Sequence, residues 1–319
     1  MMPQIAPLLR KLARPIAASL ALLMHLAPVR AEEIPIELWD GQRAMADIAE
    51  QLRFTPRSLD TAGHQKTIDF IKAELAKTGV DAVTEQRWVF TDVGGHQHAM
   101  TNIVARFQAS NPRRIIVGTH YDSIVRAYRD AKNPNAPMPG ANNSASGVAM
   151  LLETARVLSK LPKPPVGIDM IFFDGEEGPK SLGAGDPQWF AIGSPHFAEH
   201  LKDYYPAARP EKAVIFDMVC DRDLQLKPEP ASLVSARAEV EKYWSAGAAI
   251  APASFMSKIT DYPISDDHTA LAEAGIPSFL VIDFEYEPFF NTTEDTIDKC
   301  AAASLEAVGR TTLRYLYLP

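Results

Sequence analysis

The chain has 319 residues, of which 46% are hydrophobic and 23% are charged. This composition is typical of a globular protein with a large core, so it excludes a disordered or fibrous chain. Asp and Glu (40 residues) outnumber Lys and Arg (32 residues), for a formal net charge of −8. Because no basic excess is available to neutralise phosphates, we expect no nucleic-acid partner.

The first 31 residues have the pattern of a secretory signal peptide. They contain four basic residues, no acidic residue and an apolar run over residues 16–27, and Val29 and Ala31 stand where a cleavage site needs compact side chains. Removing them changes the formal net charge from −8 to −12. We therefore expect an acidic mature protein, residues 32–319, that is exported to the periplasm or secreted. An uncleaved anchor is the less favoured alternative, because the run is short for a membrane span, and no later run is long enough.

Hydrophobic periodicity and turn residues predict alternating helices and strands along the rest of the chain. Helices are predicted at residues 38–52, 61–77, 145–161 (with Ser144 as its N-cap), 232–249, 267–274 and 301–316. Strands are predicted at residues 102–107, 114–118, 168–173, 213–216 and 278–282. This alternation predicts a single three-layer α/β domain, with a mostly parallel central sheet and helices on both faces.

The chain has only two cysteines, Cys220 and Cys300, which excludes a disulfide-dense scaffold and a four-cysteine zinc site. In an oxidising compartment the two could pair, but spacing alone does not give their geometry. The default interpretation is two partly buried thiols.

Polar residues follow several predicted strands, at the edge of the sheet where sites in such folds are found. His120 and Asp122 follow the strand at 114–118, Glu176 and Glu177 follow the strand at 168–173, and Asp217 ends the next one. A carboxylate near a histidine can orient it as a metal ligand, and a second carboxylate can serve as a base. Each signal alone is weak, since a solvated acidic turn has the same composition.

Three further segments complete the pattern: a tight turn at residues 139–147, the acidic segment 263–268 and the polar segment 289–296. The chain has no Gly-x-Ser-x-Gly, Gly-x-x-x-x-Gly-Lys or Gly-x-Gly-x-x-Gly motif, so serine-hydrolase, P-loop and dinucleotide chemistries are not indicated. The order of the segments THYDS, PGANNSASG, FFDGEEG, FDMV, DDHTALAEAGIP and NTTEDT is more specific than any one of them. From about Phe54 onward the chain resembles the co-catalytic zinc exopeptidases of the aminopeptidase Y and bacterial leucyl aminopeptidase type. It equally resembles their relatives, the animal-type glutaminyl cyclases.

This resemblance implies a zinc exopeptidase-like catalytic domain over residues 32–319, with a role for each matching residue. His120 and Asp217 fall on ligands of one zinc ion, and Asp122 falls on the partner that orients the histidine. Glu176 falls on the general base that activates the attacking water, and Glu177 falls on a ligand of the other zinc ion. The implied substrate is a peptide with a free N-terminus.

Two ligand positions differ from the family pattern. Asn143 stands where an Asp bridges the two metals, and Asn291 stands where a His completes the site with Glu177. Amide oxygens are neutral and poor zinc ligands, although they suit Ca²⁺ or Mg²⁺. We therefore expect a weakened site holding one zinc ion, two, or none, with His120, Asp217 and the Asn143 oxygen as a remaining mononuclear set.

Three functions stay open. The first is an exopeptidase-type hydrolase that removes N-terminal residues, in which the loop at 183–193 with Trp189 lines the substrate pocket; an ordinary surface loop is the alternative. The second is a glutaminyl-peptide cyclotransferase, which the double acid before His268 resembles, with Asp267 as a substrate-binding residue; a helix N-cap is the alternative for Asp267. The third is a metal-poor binding protein or pseudoenzyme on the same fold.

Overall fold

The computed structural model describes residues 33–179 and 189–318. The predicted signal peptide at residues 1–31 and most of the loop at 183–193 lie outside the described residues. Nowhere in the described ranges is a helix long and apolar enough to cross a membrane.

A six-stranded mixed sheet forms the centre of the described part of the chain. Its strands are β1 (Ala82–Thr91), β2 (Gln97–Phe107), β3 (Arg114–His120), β4 (Gly167–Phe173), β5 (Ala213–Asp217) and β6 (Ser278–Ile282). In the order β1-β2-β4-β3-β5-β6, the four strands from β4 to β6 are parallel, and β1 and β2 add an antiparallel edge. Strand β1 was not predicted, because as an edge strand it carries many polar residues and buries only one side chain fully.

The helices cover both faces of the sheet, as predicted. They are α1 (Gly41–Leu52), α2 (Ala62–Leu75), α3 (Ala145–Leu158), α4 (Gly193–Glu199), α5 (Leu201–Tyr204), α6 (Pro230–Ile250), α7 (Asp267–Glu273) and α8 (Ala302–Leu316). Side chains of β2 alternate between two cores: Ile103 belongs to the core that includes residues of α1, α2, α3, α6 and α8, and Val104 to the core that includes residues of α4, α5 and α7. The prediction of a single three-layer α/β domain is therefore confirmed.

Helix ends differ from the predictions where a side chain caps the helix. Helix α1 begins at Gly41 rather than at residue 38, because the Asp40 carboxylate accepts hydrogen bonds from the next backbone amides. Thr61 likewise caps α2 instead of lying inside it. Ser144 is the N-cap residue of α3, as predicted, but its side chain makes no capping hydrogen bond, because its Oγ donates to the Asp122 carbonyl oxygen at 2.6 Å.

The default interpretation of two separate thiols is also wrong. Cys220 and Cys300 form a disulfide with their Cα atoms 4.7 Å apart. Asp221 and Cys300 form an antiparallel bridge, and the amide of Ala301 donates to the Cys220 carbonyl oxygen, so backbone pairing brings the cysteines together across 80 residues. The disulfide ties the segment after β5 to the start of α8.

Candidate active site

Two neighbouring parallel strands present the first pair of side chains. Strand β3 ends at His120 and β5 ends at Asp217, and both residues are buried. The His120 Nε2 atom lies 3.1 Å from Asp217 Oδ1. Burial alone would lower the pKa of His120, but the carboxylates of Asp122 and Asp217 raise it well above its ordinary value. The imidazole and carboxylate are therefore adjacent, as the sequence predicts for two ligands of one cation.

Asp122 connects this pair to the loop after β4. Its carboxylate oxygens accept hydrogen bonds from the backbone amides of Glu176 and Glu177, both at 3.1 Å. The same carboxylate lies 3.4 Å from His120 Nδ1, so it also faces the imidazole. Asp122 thus has the predicted place beside the histidine and, in addition, holds the backbone of the acidic loop.

The loop after β4 places two buried carboxyl groups side by side. Its start is held by Asp174, whose carboxylate lies 2.7 Å from His64 Nε2 and accepts the Thr101 amide. Gly175 follows with φ of +69°, a backbone conformation that side chains disfavour, and turns Glu176 and Glu177 into the pocket. Burial, together with neighbouring carboxylates, raises the pKa of both glutamates. These are the side chains that the sequence assigns to base and ligand.

The turn before α3 brings Asn143 against Glu177. The Asn143 amide nitrogen donates to Glu177 Oε1 at 2.6 Å and faces Asn291 Oδ1 at 3.4 Å. If the Asn143 amide were turned the other way, its oxygen would face the Glu177 carboxylate, and two acceptors cannot form a hydrogen bond. The –NH₂ group is therefore assigned to the side that faces Glu177. The Asn143 Oδ1 atom is buried, and no group in the described part of the chain forms a hydrogen bond with it. Asn143, Glu177 and Asn291, the three residues predicted around the second metal, therefore meet. What joins them is hydrogen bonds between their own side chains.

Asp295, to which the sequence assigned no role, holds this turn in place. Its carboxylate accepts the amides of Asn142 and Asn143 at 2.8 and 3.1 Å, and the Tyr286 hydroxyl at 2.9 Å. Arg57, which is fully buried, donates to the carbonyl oxygens of residues 139 and 140. No sequence signal marked Arg57, whereas Asp295 stands inside the segment 289–296.

The acidic segment before α7 supplies two more carboxylates. The N-cap of α7 is Asp266, not Asp267, so the alternative interpretation of Asp267 is wrong. Asp267 is completely buried, and among the described residues neither of its carboxylate oxygens has a partner in hydrogen-bonding geometry. Burial raises the pKa of Asp267 well above its usual value, and the adjacent Asp266 adds to the effect. The Asp267 carboxyl also contributes to the raised pKa of Glu176.

One pocket brings most of the predicted residues together. Six of the nine line it: Asn143, Glu176, Glu177, Trp189, Asp217 and Asn291. His120 and Asp122 contact its lining residues, and Asp267 acts electrostatically on Glu176. The part of the 183–193 loop that is described places Trp189 in the pocket wall, while Phe190 packs against Phe90. The result is an acidic pocket with one imidazole, suited to a cationic group.

Comparison with known proteins identifies the fold and its relatives. A Zn-dependent exopeptidase from Parabacteroides distasonis has 28% sequence identity and a TM-score of 0.81, over 88% of this chain and 99% of that one. The Tannerella forsythia glutaminyl cyclase has 30% identity and a TM-score of 0.80, over 88% of this chain and 99% of that one. Aminopeptidase YwaD of Bacillus subtilis is 29% identical over 84% of this chain and 55% of its own length, so the chain spans little more than half of that relative.

The family description "Peptidase family M28" matches residues 102–316, which include β3 to β6 and every polar segment of the pocket. The resemblance drawn from the sequence is thereby confirmed, together with the peptidase-like or cyclase-like character of the relatives. The chain belongs to peptidase family M28.

Proposed function

We propose that this protein is an exopeptidase-type hydrolase that removes residues from the free N-terminus of peptides. The observation that carries the proposal is the pocket itself, which Glu176 lines together with the carboxyls of Asp217 and Asp266. Behind this lining, His120 lies 3.1 Å from Asp217, and Asp267 acts electrostatically on Glu176. Buried carboxylates attract a cation, and a peptide's α-ammonium group is one. An internal peptide bond carries no such charge, so the pocket favours binding of the N-terminal residue of a peptide over an internal segment.

The donor set fits one zinc ion, the metal named for several relatives. His120 Nε2 and Asp217 Oδ1 are adjacent, and the Asn143 Oδ1 atom is buried without a partner among the described residues, as expected for an oxygen awaiting a cation. These three residues would hold the ion. Zinc there would polarise the carbonyl of the scissile bond as a Lewis acid.

The donor set around Glu177 does not fit a second zinc ion. The Asn143 –NH₂ group already donates a hydrogen bond to Glu177 Oε1, and Asn291 contributes only an amide. An amide nitrogen that carries hydrogens is not a metal ligand, and its oxygen is a weak one for zinc. We therefore propose a mononuclear site in which the Asn143–Glu177 hydrogen bond takes the place of the second metal.

In this mechanism Glu176 accepts a proton from the attacking water and then gives it to the leaving amine. This is the usual role of a carboxylate in general acid–base catalysis. Asp122 keeps Glu176 in place through its backbone amide. Asp267 and Asp266 bind the α-ammonium group, and Trp189 contacts the first side chain of the substrate.

Cyclotransfer is a second candidate, which the buried carboxylate of Asp267 favours. In that reaction the α-amine of an N-terminal glutamine attacks its own side-chain amide carbon, the C–N bond to the amide nitrogen breaks, and ammonia leaves. A proton must move from the attacking amine to the leaving nitrogen, and Glu176, whose pKa Asp267 helps to raise, can carry it. No water enters this reaction.

One experiment separates the candidates. The mature chain, residues 32–319, is loaded with zinc and incubated with peptides that begin with Leu or with Gln, and the products are identified by mass spectrometry. A hydrolase releases free amino acids and shortened peptides, whereas a cyclase leaves a full-length peptide lighter by one ammonia. Glu176→Gln should abolish either reaction without removing zinc. If neither product forms but peptides bind by calorimetry, the protein is a metal-poor binding protein.

We also propose that the protein acts outside the cytoplasm. The basic and apolar residues 1–31 support export, and the Cys220–Cys300 disulfide is consistent with an oxidising compartment. N-terminal sequencing of protein from the periplasm or medium should begin at Glu32. An intact N-terminus in the cytoplasmic fraction would contradict the proposal.

A further inference from the structure

Three side chains of types that can bind a metal lie together at the end of α4, and none of them lines the pocket. His196 and Glu199 belong to this helix and His200 follows it directly, so the three are spaced i, i+3 and i+4. Residues at this spacing share one face of a helix turn. One ligand atom from each of the three lies within 4.8 Å of the others. The sequence analysis did not single out this His-x-x-Glu-His pattern.

Both imidazoles are held in a defined orientation. The His196 ring stacks on Trp88, with centroids 4.1 Å apart and an angle of 8° between the ring planes. His200 Nδ1 lies 2.8 Å from the carbonyl oxygen of His196. A ring nitrogen facing a carbonyl must be the protonated one, which leaves the lone pair of His200 on Nε2. A hydrogen bond of this kind to the far nitrogen is the usual support of a metal-ligating histidine.

The environment favours neutral imidazole, the form that binds a metal. The two rings are close, with centroids 4.3 Å apart, so two positive charges would repel each other. Burial, with the nearby His200, lowers the pKa of His196. Glu199 is exposed and supplies the negative charge.

We propose that His196, Glu199 and His200 form a surface site for a zinc-class divalent ion, separate from the pocket. Two imidazoles and one carboxylate match the preference of Zn²⁺, and also of Ni²⁺ and Cu²⁺, but not that of Ca²⁺ or Mg²⁺. Tetrahedral zinc places its ligand atoms about 3.3 Å apart. The three ligand atoms therefore have to approach each other from their present separations of up to 4.8 Å when the ion binds. The fourth position faces solvent and takes water.

Zinc uptake tests the site directly. In equilibrium dialysis at micromolar free Zn²⁺, the protein should bind one more ion per chain than the His196→Gln/His200→Gln variant. His96→Gln removes an exposed histidine outside the cluster and should bind as the unchanged protein does. The His120→Ala background, which removes the pocket's imidazole, should preserve the one-ion difference and so separates this site from the proposed active site. Equal zinc uptake by the double variant would overturn the proposal.

Trp88 gives an independent signal. Cu²⁺ bound at His196 would quench the fluorescence of the stacked indole, and Glu199→Gln should weaken that quenching at a given Cu²⁺ concentration. Trp88→Phe should remove the part of the quenching that depends on His196 and His200 but leave zinc uptake unchanged; quenching of Trp189, which lines the pocket, should remain. If the double histidine variant does not fold, single His200→Gln and Glu199→Gln variants carry the dialysis test. Quenching that is the same in all histidine variants would contradict the site.

Discussion

Asn143→Asp replaces the hydrogen-bond donor nearest to Glu177 by a second carboxylate. In the structure the Asn143 Nδ2 atom is 2.6 Å from Glu177 Oε1, with Asn291 Oδ1 on its other side. The substitution keeps the size and shape of the side chain. It therefore tests whether the amide group replaces a metal ion, with little change in packing.

The expected loss of stability has two parts. The hydrogen bond to a charged acceptor contributes about 1.5–3 kcal/mol. At pH 9, where Glu177 with its pKa raised to about 8 is ionised, two carboxylates about 4 Å apart repel by about 4 kcal/mol at an effective dielectric constant of 20, so the measurement is made at that pH. Because the side chains can move apart, we expect a total loss of about 3–5 kcal/mol in the free energy of unfolding without metal.

Urea unfolding in EDTA, followed by circular dichroism, measures this loss. Asn135→Asp adds the same charge at an exposed position and should change the stability by no more than about 0.5 kcal/mol. If Asn143→Asp is as stable as the unchanged protein in EDTA, the amide does not hold Glu177 as described.

Zinc should reverse the effect once the second ligand is also restored. Asn143→Asp/Asn291→His rebuilds the carboxylate and imidazole of the family pattern, so zinc should stabilise the double variant by about 2.7 kcal/mol at 100 times its dissociation constant. Zinc affinity should exceed that of the unchanged protein. No gain in affinity would show that these two positions are not the missing ligands.

Three other predictions address the supports of the site. Asp122→Asn should lower zinc affinity about 10–100-fold in a competition titration, because the amide cannot accept both loop amides and face His120; unchanged affinity would remove Asp122 from the site. At Glu229, burial acts to raise the pKa, but His268 and the amides that begin α6 lower it to about 2. The ionised Glu229 carboxylate therefore stabilises the folded protein by about 3 kcal/mol above pH 4.5, and this contribution is lost as the pH falls toward 2. In acid unfolding curves, the stability difference between Glu229→Gln and the unchanged protein should shrink over that range. Cys220→Ser/Cys300→Ser opens an 80-residue link and should destabilise the protein by about 4 kcal/mol in urea unfolding; equal stability with and without reductant would indicate that the disulfide does not form.

The sequence alone was sufficient for the fold class and for the location of the site. Long apolar runs with regular period mark the buried strands and helices, and the structure confirms β3 to β6 within a few residues of the predicted ends. Parallel strands place their carboxyl ends at one edge, so the residues after β3, β4 and β5 had to meet there. The order of the motifs then identified the family, and two ligand positions stood out as asparagine.

Only the tertiary structure decided how those residues pair. Whether Asn143 would present its oxygen to a cation or its nitrogen to Glu177 depends on which acceptors surround it, and these come from segments far apart in the chain. The same holds for Asp267, whose neighbour Asp266 proved to be the helix cap, and for the Cys220–Cys300 disulfide. Local patterns reflect contacts between residues close in sequence, whereas hydrogen bonds in a site depend on distances between residues that folding alone brings together.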